Sequence, residues 1–190
     1  MRVRRAGRSL LLVSALSPLA ATAGDDERAY IEFHGQTYTY EFSAVLAAPR
    51  DAVHTVVTDY EQLERVNDSI TDSRVLERHD DGALKRLLAL RECVLMFCFD
   101  IVFVEDLVET DDSIRTTIIP AESTFRGGHA EWQLEAVDDA RTRMRIRATQ
   151  TPDFWIPPVL GPLVLKRVFL REVRETSGNI ERLARAAVAG

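Results

Sequence analysis

Between Thr37 and Ala148 the apolar residues recur mostly at every second position, and from Leu165 onward they recur at every third, fourth and seventh. A chain with this change of period builds a run of strands and then a helix. The alternation is clearest from Thr37 to Leu46: Tyr38, Tyr40, Phe42, Ala44 and Leu46 share one face, and Thr37, Thr39, Glu41 and Ser43 the other, which predicts a half-buried strand. Pro49 then suits the first turn of a helix. Ala52, Val53, Val56 and Val57 follow at helical spacing, and Glu61–Asn67 reads as a second short helix. Strand-like segments come next at Ser73–Arg78, Leu84–Glu92, Asp100–Glu109, Ile114–Ile119 and Gly127–Val137, and a last one carries Met144, Ile146 and Ala148. Asp81-Gly82, Asp111-Asp112 and Asp138-Asp139 supply the turns between them. The outward Glu131 and Glu135 of one strand meet the outward Arg143, Arg145 and Arg147 of the next, a favourable cross-strand pairing. Leu165, Val168, Phe169, Val173, Ile180, Leu183 and Ala184 make the apolar stripe of a long closing helix. The order strand, two short helices, about six antiparallel strands and one long helix is that of an α+β domain. A helix held away from the concave face of such a sheet encloses an apolar cavity.

The first residues carry a different signal. Arg2, Arg4, Arg5 and Arg8 precede an apolar run, Ser9 to Leu19, too short for the roughly 20 residues of a membrane-spanning helix. Ala21-Thr22-Ala23 then offers a cleavage site before Gly24, so residues 1–23 read as a signal peptide, 24–36 as an N-terminal extension and 37–187 as the folded domain. The expected location is the periplasm or the secreted fraction. Of 24 basic and 30 acidic residues, four arginines leave with the signal, giving 20 − 30 = −10 for the remainder. That charge excludes a nucleic-acid partner.

The same segments resemble the START-like (SRPBCC) superfamily, with its helix-grip domains of polyketide cyclase/dehydrase and coenzyme-Q-binding type. Pro49-Arg50-Asp51-Ala52-Val53 with Val57-Thr58-Asp59-Tyr60 is similar to the family's first helix and its exit. Gly128-His129-Ala130-Glu131-Trp132-Gln133-Leu134 resembles its G-x-W-x-L strand, and Thr142-Arg143-Met144-Arg145-Ile146 the strand after it. Thr151 to Pro158 resembles the lead into the closing helix. The resemblance implies a curved antiparallel sheet of about six to seven strands wrapped around a long C-terminal helix. It also implies that a lipid or another hydrophobic molecule binds between the two. On that basis Tyr38, Tyr40, Phe42, Tyr60, Trp132, Phe154, Trp155, Leu165, Val168 and Phe169 are the candidate cavity residues.

Signals for chemistry are sparse. His34, His54, His79 and His129 have no metal-ligand spacing, and no metal or cofactor is expected. No G-x-S-x-G elbow and no glycine-rich phosphate loop occurs. Glu105 and Asp106 interrupt an otherwise apolar strand, so one of them faces inward as a weak catalytic candidate. Ile101, Phe103 and Leu107 share the face of Glu105, and Val102, Val104 and Val108 that of Asp106, which leaves the choice open. Cys93 and Cys98 lie on opposite faces if their segment is one straight strand. They face each other if Val94–Phe97 is a hairpin tip, and an oxidising compartment then favours a disulfide. Phe154 to Leu165 is uncharged and carries three prolines, either a packed connector or a lid beside the cavity mouth, with Trp155 suited to a membrane interface.

These features lead to an exported, monomeric carrier of a hydrophobic small molecule, making transient contact with a membrane surface. Two alternatives stand beside it: a cyclase- or dehydratase-type enzyme using the same cavity, and a partner-binding module without ligand.

Overall fold

The computed structural model describes residues 27–94, 97–156 and 160–189. The expected signal peptide lies outside these residues, as do Leu95, Met96 and Pro157 to Val159. Strands β1 (Arg28–His34) and β2 (Thr37–Leu46) precede helix α1 (Arg50–Val57) and a 3-10 turn at Leu63–Arg65. Strands β3 (Ile70–Arg78), β4 (Leu84–Val94), β5 (Phe97–Glu109), β6 (Ser113–Ile118), β7 (Phe125–Asp138) and β8 (Arg141–Pro152) follow, and helix α2 (Leu160–Ala189) closes the fold. All strands join one antiparallel sheet in the order β1-β2-β8-β7-β6-β5-β4-β3. β2 and β3 therefore sit far apart in the sheet although they are neighbours in sequence. The segment joining them, α1 and the 3-10 turn, crosses one end of the sheet.

The architecture is the helix-grip arrangement that the sequence predicts, with three differences. Residues 28–34, read as part of an extension, form an edge strand paired to β2, with Ala29 opposite Phe42 and Ile31 opposite Tyr40. The stretch 61–67 makes one 3-10 turn and no α-helix. The Asn67 side chain accepts from Ser69 N, turning the chain into β3. Among the described residues the sheet accordingly has eight strands, one more than the upper expectation.

α2 rests mainly on α1, β2 and β1. Its C-terminal half closes the core, where Phe42, Leu46, Val53, Leu107, Leu134, Met144, Ile180 and Ala184 are buried together. Gly128 permits the close approach of β7 and β8: a Cβ there would stand 2.5 Å from the Thr149 carbonyl oxygen. Polar ties pin the same end. Thr142 Oγ1 donates to Ala48 O at 2.7 Å, and Ala47 N donates to Glu181 Oε2 at 2.8 Å. Among the described residues no helix is long and apolar enough to cross a membrane.

Candidate functional site

The N-terminal half of α2 stands off the sheet. Leu165, Val168, Phe169 and Glu172 of α2 face Arg86, Leu88, Leu90 and Glu92 of β4 and Ile101, Phe103 and Glu105 of β5 across a cavity of about 310 Å³. Thr116 of β6, Ala130 and Trp132 of β7, and Gln150 of β8 continue the floor. Tyr38 and Tyr40 form the wall on the β2 side. Their rings stack at 6.3 Å, and Tyr40 meets Phe169 of α2 at 4.8 Å. Tyr38 donates to Gln150 Oε1 at 2.7 Å. Burial raises the pKa of both phenols, and the nearby Glu105 charge raises that of Tyr40 further. The volume is at the low end for a small-molecule site, roughly 300–1,000 Å³.

Two polar stations interrupt this apolar lining. At the first, Arg86 and Glu105 are cross-strand partners. Arg86 Nη2 donates to Glu105 Oε2 at 2.6 Å, and Thr116 Oγ1 donates to Glu105 Oε1 at 3.0 Å. The guanidinium also stands 5.3 Å over the Tyr60 ring. Tyr60 turns its hydroxyl away, donating to Glu109 Oε2 at 2.9 Å, while His54 Nε2 approaches Glu109 Oε1 at 3.5 Å. Burial raises the Tyr60 pKa, and so do the Glu109 charge and hydrogen bond, against a smaller opposing pull from Arg86. Both Glu105 oxygens are thus occupied by donors, and the carboxylate would have to leave that pair to take a proton from a substrate. The buried Arg86 Nε has no protein hydrogen-bond partner.

The second station lies between β4, α2 and the turn before β3. Arg171 donates to Glu92 Oε2 and to Glu172 Oε1, each at 2.6 Å. Asn67 Nδ2 donates to Glu172 Oε2 and to Thr176 Oγ1, each at 2.9 Å. Burial and the adjacent Glu172 carboxylate push the Glu92 pKa up, against the pull of Arg171. Burial pushes Glu172 up as well, yet hydrogen bonds from Asn67 and Arg171 and the Arg171 charge hold it below its ordinary value. Glu92 is only 8% exposed, and hydrogen bonding with Ser69 adds a smaller pull against the rise in its pKa.

Of the residues proposed from sequence, Tyr38, Tyr40, Tyr60, Trp132, Leu165, Val168 and Phe169 line the cavity. Phe42 does not, because it is fully buried in the closed core on the same sheet face. Phe154 and Trp155 do not line it either. Phe154 sits between Phe99 and Phe125, at 6.3 and 6.0 Å, and Trp155 is 72% exposed. Glu105 faces inward, and Asp106 is exposed on the outer face. Cys93 and Cys98 are opposite each other at the end of the β4–β5 hairpin and are joined by a disulfide. The sequence reading overlooked Arg86, Glu92, Asn67 and Glu172. A signal existed for the first two: they keep step with Leu84, Leu88 and Leu90 on the apolar phase of their strand.

The signature of a family described as polyketide cyclase / dehydrase and lipid transport matches residues 37–186. No curated protein matches the sequence. Among solved structures, a START superfamily protein from Mycobacterium smegmatis is similar with a TM-score of 0.62 at 15% identity, covering 76% of this chain and 98% of its own. The Zhui aromatase/cyclase from Streptomyces has a TM-score of 0.63 at 17% identity, covering 80% and 96%. A STAR-related lipid transfer protein from Xanthomonas axonopodis has a TM-score of 0.58 at 15% identity, covering 90% and 97%. At such identities the likeness shows the fold.

Proposed function

Because this chain belongs to the polyketide cyclase / dehydrase and lipid transport family, we propose that it is an exported carrier holding one hydrophobic molecule between its sheet and the first half of α2. The observation that carries this reading is the cavity itself. Its lining is mainly apolar, and the carboxylates among it are held by protein donors, Glu105 by Arg86 and Thr116, and Glu92 and Glu172 by Arg171. Such a site binds by burying apolar surface, with a few polar groups setting orientation. The enzyme reading needs an acid or base facing the substrate; Glu92 is paired with Arg171, and Tyr60 donates its proton to Glu109.

Export is supported by the Cys93–Cys98 disulfide, a bond that persists in oxidising compartments. Cleavage of residues 1–23 is the route we propose. Membrane contact at the cavity mouth is supported by the exposure of Phe99, Trp155 and Leu163 in a domain of expected charge −10. The Phe99–Phe154–Phe125–Phe103 ring series joins that surface to the cavity wall. Native mass spectrometry of protein purified from a bacterial periplasm tests the carrier reading. One non-covalent hydrophobic adduct per chain, removed by solvent extraction, is expected. A bare polypeptide that also fails to take up a hydrophobic dye would exclude it.

A further inference from the structure

A hydroxyl turned into an apolar cavity without a partner is a cost that phenylalanine would avoid, so such a group calls for a reason. Three of the four tyrosines have a protein acceptor. Tyr30 donates to Glu32 Oε2, Tyr38 to Gln150 Oε1 and Tyr60 to Glu109 Oε2. The Tyr40 hydroxyl makes no hydrogen bond among the described residues. Unlike the sealed Arg86 Nε, it keeps surface toward the cavity that its ring lines. The ring is held between Tyr38 and Phe169, which fixes where the hydroxyl stands before anything binds.

Register opens the ground in front of that hydroxyl. Tyr40 stands opposite Ala148 of β8, Ala148 opposite Ala130 of β7, and Ala130 opposite Thr116 of β6. The row runs about 14 Å across the sheet, three strand spacings, and beyond Tyr40 it carries only short side chains. Ile146, Trp132 and Ile114 make up the next row and wall this trough on one side. Charge then selects what can enter. Glu105, although held by Arg86, acts on the Tyr40 phenol, and together with burial it raises the pKa. The hydroxyl keeps its proton and donates, and a ligand carboxylate beside it would meet the same repulsion. We propose that Tyr40 orients the cargo, and that the cargo is a neutral apolar molecule with a carbonyl oxygen, which accepts from the Tyr40 hydroxyl while the apolar body lies along the trough over Ala130 and Thr116. This inference rests on the carrier reading and specifies the class of cargo.

Delipidated wild type and Tyr40→Phe, each titrated with 2-undecanone, undecane and undecanoate, test it. The substitution removes one oxygen and keeps the ring. It should weaken the ketone about tenfold, a difference of about 1.4 kcal/mol, and leave undecane bound as tightly as before. In wild type the infrared carbonyl stretch of the bound ketone should lie below its value in dry hydrocarbon, and in Tyr40→Phe it should return to that value. Wild type should take the ketone in preference to undecanoate. Equal ketone binding by the two proteins overturns the inference, as does a wild-type stretch at the hydrocarbon value or tighter binding of undecanoate than of the ketone. Binding of none of the three would overturn the carrier reading, and this inference with it. Should Tyr40→Phe fail to fold, the wild-type stretch decides.

Discussion

Along α2, Ile180 and Ala184 are completely covered, while Leu165, Val168 and Phe169 are only partly buried, although all five lie on one apolar stripe. What differs is the opposing surface. Ile180 and Ala184 share one buried cluster with Val53, Val56 and Val57 of α1, and Ile180 and Val57 border the inner end of the cavity. Across from Phe169, among the described residues, no second helix intervenes, and the floor includes short side chains at Thr116 and Ala130. An amphipathic stripe therefore does not specify a packed core. It specifies a surface that something apolar must cover, and in the first half of α2 that cover is proposed to be the ligand.

This contrast is open to attack in order of effect. The largest is expected in the open half, where a charge is at stake. Arg86→Met strands Glu105 as an unpaired buried carboxylate and should cost about 3–5 kcal/mol in urea unfolding. Adding Glu105→Leu should recover most of the loss, and a double variant as weak as the single would show that the pair is not what holds that wall. Next comes the core against the cavity. Ile180→Ala should cost about 2–5 kcal/mol by leaving a void in packed structure. Phe169→Ala should cost clearly less while weakening hydrophobic dye uptake, and equal costs would erase the distinction between the two halves.

Reduction of Cys93–Cys98 should have a smaller effect, about 2 kcal/mol on a chain-entropy basis for so short a loop. Hydrogen exchange should rise in β4 and β5 and stay unchanged in β2 and β8, and uniform loosening would mean that the two sides of the sheet do not respond separately. The smallest effect is electrostatic. The folded-state pKa of Glu92 is above its ordinary 4.5, so its ionisation costs stability. That cost is absent below 4.5 and is felt as the pH rises through the raised value. Glu92→Gln should flatten the fall of melting temperature across that window, and an unchanged profile would assign the slope to other groups.

Much of this was legible in the sequence, and the remainder was hidden for physical reasons. Period 2 places Tyr40 and Phe42 on one face, yet it is silent on whether that face meets a side chain or a void, and Phe42 proved to be core. β1 carries its own alternation in Ala29, Ile31 and Phe33, but a short edge strand buries only one half-covered face, and the signal is correspondingly weak. The Arg86–Glu105 pair was within reach. If Cys93 and Cys98 close the hairpin, seven residues back along β4 and seven on along β5 set Arg86 opposite Glu105. The alternation of β5 alone left Glu105 and Asp106 equivalent, and register is what separates them. The Glu92–Arg171–Glu172 station joins residues 79 positions apart, Glu92 and Arg171, and only the docking of α2 reveals it.

The central claim, that the space under the first half of α2 is a ligand site, is met most directly by filling it. Leu88→Trp places a large side chain in the middle of the cavity floor. If the space is a binding site, native mass spectrometry should show the bound molecule falling from one per chain to none, with urea stability unchanged or improved. A variant that keeps its ligand, or that loses about 1–3 kcal/mol as an overpacked core does, would contradict the account.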